Sequence, residues 1–124
     1  MSTVWLNSSS LVLNSSSVSF LVGATATPTI GTLSCLSQEG VQSINVPVTN
    51  EDASSALIEI SQSSIFSSIL GSETVAGGES TTFSISGYSN PPGSQTFYAR
   101  ATATGRPVSA TRTRTQNISG CLLG

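Results

Sequence analysis

Short segments in which apolar and polar residues alternate constrain the fold of this chain most strongly. Within residues 95–104, every second position from Phe97 onward is an apolar residue: Phe97, Ala99, Ala101 and Ala103. A two-residue period is typical of a half-buried β-strand, and small alanines imply that a facing layer packs closely. Comparable segments recur about every ten residues, separated by turns rich in Gly, Pro and Asn. The sequence therefore predicts an all-β domain, built as a sandwich or a barrel.

Two further segments show the same period and are predicted to be strands. They are Val41–Thr49 and residues 81–86. Their inward-facing residues are Ile44, Val46, Val48, Phe83 and Ile85. Because proline cannot donate a hydrogen bond to a neighbouring strand, Pro47 predicts that it lies in an edge strand or at a bulge.

Residues 61–70 show a different spacing. Their apolar residues fall at i, i+1, i+4 and i+5, namely Ile65, Phe66, Ile69 and Leu70. This spacing predicts one short helix, with Gly71 as its C-terminal cap.

The first eighteen residues contain a short repeat. The sequence LNSSSL at residues 6–11 recurs seven positions later as LNSSSV at residues 13–18. Because Asn and Ser favour local turns over helix, we interpret the apolar runs 4–6 and 11–13 as short strand pieces. Residues 1–16 form either an extended arm on a neighbouring subunit or the first strands of the domain's own sheet. Residues 17–124 are predicted to form the β-sandwich domain.

A resemblance to known domains covers residues 75–110, which read VAGGESTTFSISGYSNPPGSQTFYARATATGRPVSA. The segment resembles the later strands of immunoglobulin-like and fibronectin type III-like domains, a kind of domain found in virion decoration proteins. The resemblance implies an immunoglobulin-like β-sandwich whose core contains Phe97, Ala99, Ala101 and Ala103, which we call the Phe97 row. Trp5 lies near the terminus instead of in an early core strand, and Cys35 and Cys121 lack the usual inter-sheet spacing. A jelly-roll is therefore the alternative fold.

Composition excludes much chemistry. Ser and Thr supply 41 of the 124 residues, charged residues make up 8%, and the chain has neither His nor Lys. A Ser-His-Asp triad, a Cys-His pair, a His-ligated zinc ion and a P-loop each require one of the absent residue types. A formal net charge of −2 argues against nucleic-acid binding. We expect no catalytic activity, no cofactor and no metal ion.

The two cysteines, Cys35 and Cys121, leave three states open. They form an intramolecular disulfide, form an intermolecular disulfide, or remain buried thiols. An intramolecular bond would close a loop over most of the chain and contribute on the order of 4 kcal/mol in the chain-entropy model.

Charge is segregated along the sequence. The six acidic residues lie within positions 39–79 and the four arginines within positions 100–114. These groups pair within one copy, or an acidic face of one copy meets a basic face of the next and sets the register of association. Arg112 and Arg114 alternate with threonines and project from one face of a strand. Their expected surroundings are solvent, Glu59 of a neighbouring strand, or acidic residues of another subunit.

Sequence features also bear on location. No segment reaches the roughly 20 apolar residues that span a bilayer, and the first twenty residues lack the basic start and apolar stretch of a signal peptide. A Lys-free surface rich in hydroxyl groups suits an exposed, durable setting. We expect a virion surface or another extracellular location, with no membrane partner.

These features favour a non-enzymatic structural protein, most specifically a capsid decoration or cement protein that binds other copies of itself and a major capsid protein. The predicted interface residues are Val4, Trp5, Leu6, Leu11, Val12, Leu13, Arg112, Arg114, Leu122 and Leu123. One alternative is a glycan- or protein-binding immunoglobulin-like module of a surface or carbohydrate-active protein, in which Tyr88 or Trp5 stacks on a sugar. A phage tail or fibre subunit is the other alternative.

Overall fold

The computed structural model describes residues 23–123, which form nine strands and no helix. The strands are β1 (Thr29–Ile30), β2 (Ser34–Gln38), β3 (Val41–Thr49), β4 (Ala56–Ser61), β5 (Gly71–Val75), β6 (Ser80–Tyr88), β7 (Gly93–Ala103), β8 (Arg112–Ile118) and β9 (Leu122–Leu123). The predicted all-β class is confirmed. The expectations for residues 1–22, including the six apolar interface residues there, lie outside the described residues.

Two sheets pack face to face. The first has the order β9-β2-β3-β6. The short strand β1 lies on the same side of β3 as β2 and pairs with the last residues of β3, whereas β2 pairs with its first residues. The second has the order β5-β4-β7-β8. If β2, β3 and β6 are taken as strands A, B and E, and β4, β7 and β8 as C, F and G, this is the immunoglobulin-like order. The predicted β-sandwich is confirmed, and the jelly-roll alternative does not describe this strand order.

The core lies between the sheets and is built from the alternating rows seen in the sequence. On β7 the Phe97 row points inward, and its four side chains are at most 1% exposed. On β3 the inward residues Ile44, Val46 and Val48 are fully buried. Phe83 of β6 is buried and Ile85 is packed against the same cluster. Burial of these apolar surfaces is the main favourable contribution to folding.

The predicted helix at residues 61–70 is wrong. Ser61 ends β4, and its hydroxyl donates a hydrogen bond to the carbonyl of Ser68, 2.6 Å away. Phe66 has a φ of 53°, a left-handed conformation that a regular helix does not contain. The Phe66 ring lies under the Arg100 guanidinium, 4.2 Å from its centroid. Contacts with the outer face of the second sheet therefore outweigh the helical spacing.

The second incorrect expectation concerns Pro47. Its strand is interior, because β3 has β1 and β2 on one side and β6 on the other. The Pro47 carbonyl accepts a hydrogen bond from Gly31 N–H, so its nitrogen faces the same side. That side is the gap between the β1 and β2 pairings, where no donor is needed. The register shift of β3 lies elsewhere, between Gln42 and Ser43.

The sandwich has two distinct ends. The hairpin end carries the β2–β3 turn, the β4–β5 connection and the β6–β7 turn. The amino end carries residues 23–28 and the connections 50–55, 76–79 and 104–111. β3 runs from the hairpin end to the amino end.

Candidate interaction surface

β9 is held to the first sheet by a covalent bond. Cys35 of β2 and Cys121, the residue before β9, form a disulfide with their Cα atoms 4.4 Å apart. β9 then pairs in parallel with β2 through two register positions, Leu36 with Leu122 and Ser37 with Leu123. The bond therefore fixes the position of a strand too short to be stable by itself.

The outer face beside β9 carries exposed apolar side chains next to the polar side chains of Ser34, Gln38 and Ser43. Leu36 points outward, because its neighbours Cys35 and Ser37 are buried. Leu122 lies beside Leu36 by register and is 73% exposed. We define the β9 patch as Leu36, Val41 and Leu122 on this face, together with Leu123, which lies beside Ser37 by register and whose side chain extends from the other face of β9. Val41 is 52% and Leu123 is 88% exposed. Neighbouring exposed apolar groups of this kind mark interaction sites more often than isolated ones do.

Arg112 and Arg114 do project from one face of β8, but that face turns toward the first sheet. Their register partners on β7, Ala99 and Phe97, point into the core. The Arg112 Nε donates a hydrogen bond to the Pro28 carbonyl, 2.9 Å away. Both guanidinium groups therefore help to close the sandwich beside β1.

Arg114 acts together with Gln116, a residue for which the sequence predicted no role. Its Nε and a terminal nitrogen donate hydrogen bonds to Gln116 Oε1, and its other terminal nitrogen lies 3.5 Å from the Ile30 carbonyl. The Gln116 amide in turn bonds both backbone groups of Leu33, at 2.8 Å each. The alternation along β8 places Gln116 on the same face as Arg112 and Arg114, and this is the sequence pattern that could have indicated its role.

The expected pairing of Glu59 with Arg112 or Arg114 is wrong. The Glu59 Oε1 accepts a hydrogen bond from Arg100 Nε, 2.9 Å away on the adjacent strand β7. The register explains the pairing, because Glu59 lies directly opposite Arg100. This ion pair is partly exposed and contributes about 0–1 kcal/mol.

A second ion pair fixes residues 23–26 at the amino end. Arg106 donates hydrogen bonds to both carboxylate oxygens of Asp52, each 2.9 Å away. It also donates to the carbonyls of Gly23 and Ala24. Asp52 accepts a further bond from Ala26 N–H. The two arginine–acid pairs therefore lie within one copy of the chain.

The electrostatic state of this cluster follows from its donors. Hydrogen bonds from Ala26 N–H, Arg106 and Ser54 N–H stabilise the charged carboxylate and lower the pKa of Asp52 from 3.8 to about 2. The carboxylate therefore stays charged, and the bidentate contact with Arg106 persists, at any pH well above that value.

The β9 patch and the first described residues lie at opposite ends of the sandwich. Leu122 pairs beside Leu36, which is opposite Ser43 of β3. Residues 23–26 contact the connections that follow β3 and β7. At about 3.3 Å per residue, the stretch of β3 from residue 43 to residue 50 places these two regions about 23 Å apart.

Tyr88, the ring considered for sugar stacking, is engaged within the protein. Its ring packs against the core cluster, and its hydroxyl donates a hydrogen bond to Gln62 Oε1, 2.8 Å away. Partial burial raises the pKa of this phenol.

Residues 23–123 contain no pocket and no group of three or more potential metal ligands. The same range contains no helix that is long and apolar enough to cross a bilayer.

Comparisons with known proteins do not assign the chain to a family. No protein-family model matches it, and no curated protein matches it. Among solved structures, a crystal structure of a beta-glucosidase from Listeria innocua in complex with glucose matches with 13% identity and a TM-score of 0.29. The match covers 77% of this chain and 16% of that chain. A likeness this low indicates neither a shared family nor a shared activity.

Proposed function

We propose that this protein is a non-enzymatic structural component of an extracellular assembly, in its most specific form a capsid decoration protein on a virion surface. The observation that carries the proposal is the β9 patch, in which Leu122 and Leu123 are 73% and 88% exposed on a strand fixed by a disulfide. Side chains that remain exposed on a rigid edge gain free energy when another molecule covers them. The partners are other copies of the chain and a major capsid protein.

The N-terminal segment, residues 1–22, supplies the second contact. It contains no charged side chain and includes the apolar runs 4–6 and 11–13. Two contacts at opposite ends of one rigid body allow each copy to bridge two neighbours. Individually weak contacts then act together, because the second binding event becomes intramolecular.

The charged residues play a secondary part in this proposal. Arg112 is exposed on the surface while it bonds the Pro28 carbonyl, so its guanidinium can also meet a carboxylate of another copy. Such a contact sets register more than it adds affinity. The disulfide supports an extracellular location, because disulfides persist in oxidising surroundings.

The test is density-gradient sedimentation of material released by cells that produce the full chain. We expect the wild-type protein to sediment with particles made of repeated subunits. The Leu122→Ser/Leu123→Ser variant should bind them at least about tenfold less, since one lost leucine contact of 1.4 kcal/mol is worth a factor of ten.

The matched control is Leu57→Ser, which removes a leucine that is 39% exposed on the outer face of the second sheet, away from β9. This variant should sediment like the wild type. A wild-type protein that stays at the top of the gradient as a free monomer would contradict the proposal. So would a Leu122→Ser/Leu123→Ser variant that sediments with the particles undiminished.

A further inference from the structure

We infer that the N-terminal segment of one copy adds as a strand to the free edge of β9 in a neighbouring copy, so that copies join head to tail. This inference rests on the proposed function and specifies which surfaces of the chain meet. Its occupant is residues 1–22 of a second molecule, and its receptor is the β9 edge together with the β9 patch.

The receptor is an open sheet edge. β9 is the last strand of the first sheet, and it pairs with β2 on one side only among the described residues. An edge strand presents unpaired backbone N–H and C=O groups, which can pair with an extended peptide. Proteins commonly protect such edges with charged side chains. Residues 116–124 carry none.

The occupant matches this edge in chemistry and in length. Residues 1–22 carry no charged side chain, so their burial against leucines leaves no unpaired charged side chain. Their apolar runs 4–6 and 11–13 include Val4, Trp5 and Val12, which favour strands. Fully extended, 22 residues span about 70 Å, which exceeds the length of the sandwich along β3.

Residue 23, from which the N-terminal segment extends, lies at the end of the sandwich opposite its own β9. β1 runs antiparallel to β3, so the chain enters β1 from the amino end. Followed backward, residues 23–26 are fixed at that end by Arg106 and Asp52. For the segment to pair with the β9 of its own molecule, about seven extended residues would first have to cover the roughly 23 Å along the sandwich. In a copy stacked by its hairpin end on the amino end, β9 would lie next to residue 23, and the whole segment would be free to pair.

Such a contact joins two different surfaces and is therefore heterologous. Heterologous contacts generate rings when the rotation closes and filaments when it does not. Either outcome gives the repeated arrangement that an assembly component requires.

The test is photo-cross-linking between two isotopic forms of the full chain. One form carries p-benzoylphenylalanine in place of Val12 at natural isotope abundance, and the other is wild-type protein labelled with ¹⁵N. After mixing, irradiation, reduction and digestion, mass spectrometry identifies the joined peptides. We expect a light peptide containing position 12 to be joined to a heavy peptide containing Leu122 and Leu123.

Two controls test whether the cross-link depends on the position of the probe and on the β9 patch. The same photoreactive residue in place of Ser84, which is exposed on β6 at the opposite edge of the first sheet, should give no link to β9. Leu123→Asp in the heavy form should reduce the expected product about tenfold.

Links from position 12 to β9 that are exclusively light-to-light would show that the segment returns to its own molecule, and would overturn the inference. Links to other surfaces, or the absence of links from an assembled sample, would do the same. The two proposals fail separately. A chain that sediments with particles but gives no intermolecular link to β9 retains the proposed function and loses the strand addition.

Discussion

Replacement of both Cys35 and Cys121 by serine will lower the free energy of unfolding by about 4 kcal/mol. The disulfide joins residues 86 positions apart, so its removal restores freedom to most of the unfolded chain. In the folded state β9 would keep two register pairs with β2 and no covalent link. We therefore also expect the variant to lose sedimentation with particles, because the β9 patch is no longer held in place.

Urea unfolding of the double variant and of the wild type measures this loss, and the wild type in the presence of a reductant provides a second measurement. Ser34→Ala is the matched control, because Ser34 is an exposed residue next to Cys35 on β2. It should change stability by about 0.5 kcal/mol or less. A loss below about 1 kcal/mol for the double variant would show that the bond does not restrict the unfolded chain as the entropy argument requires.

The second large effect is expected in the core. Phe97→Ala should destabilise the protein by about 3–5 kcal/mol, because it removes an aromatic ring that is completely buried. The other inward residues of β7 are alanines, and their side chains are too short to fill the cavity that the ring would leave.

The matched control for this variant is Tyr98→Ala, one residue along the same strand. Tyr98 lies on the outer face of the second sheet, opposite Ser61 and Thr113. Its loss should cost about 1 kcal/mol or less, as is usual for substitutions outside the core. Equal losses for the two variants in thermal and urea unfolding would contradict the assignment of the Phe97 row to the core.

The parts of the fold that could be predicted from sequence are those dictated by a two-residue period. The Phe97 row of β7 and the Ile44–Val48 row of β3 are buried as their alternation indicated. Alternation suffices there because one face of each strand contacts the opposing sheet, so hydrophobicity alone selects which side chains turn inward.

Features that depend on contacts between distant residues could not be predicted in this way. Residues 61–70 have helical spacing, but Phe66 packs under Arg100, which is 34 positions later in the chain. Pro47 lies in an interior strand because two short strands share one side of β3 and leave a gap at its nitrogen. No local sequence pattern predicts the loop at residues 61–70 or the interior position of Pro47.

The candidate site was predictable in part. The terminal leucines stand out in the sequence as apolar residues outside any long strand, and Leu122 and Leu123 are exposed in the structure. The pairing of β9 with β2 and the outward turn of Leu36 follow from the register, which the sequence does not reveal. The role of Gln116 likewise depends on its distance from Leu33 in the folded chain.

The most direct test of the proposed role as an assembly component uses Trp5, the single tryptophan of the chain, as a fluorescent reporter of the N-terminal segment. Emission and acrylamide quenching of the full chain are measured as its concentration rises from a dilute monomer to the assembled state. We predict emission typical of a water-exposed indole in the monomer, and a blue shift with reduced quenching on assembly, as the segment becomes buried on another molecule. A Trp5 already shielded from the quencher in the dilute monomer would contradict the account.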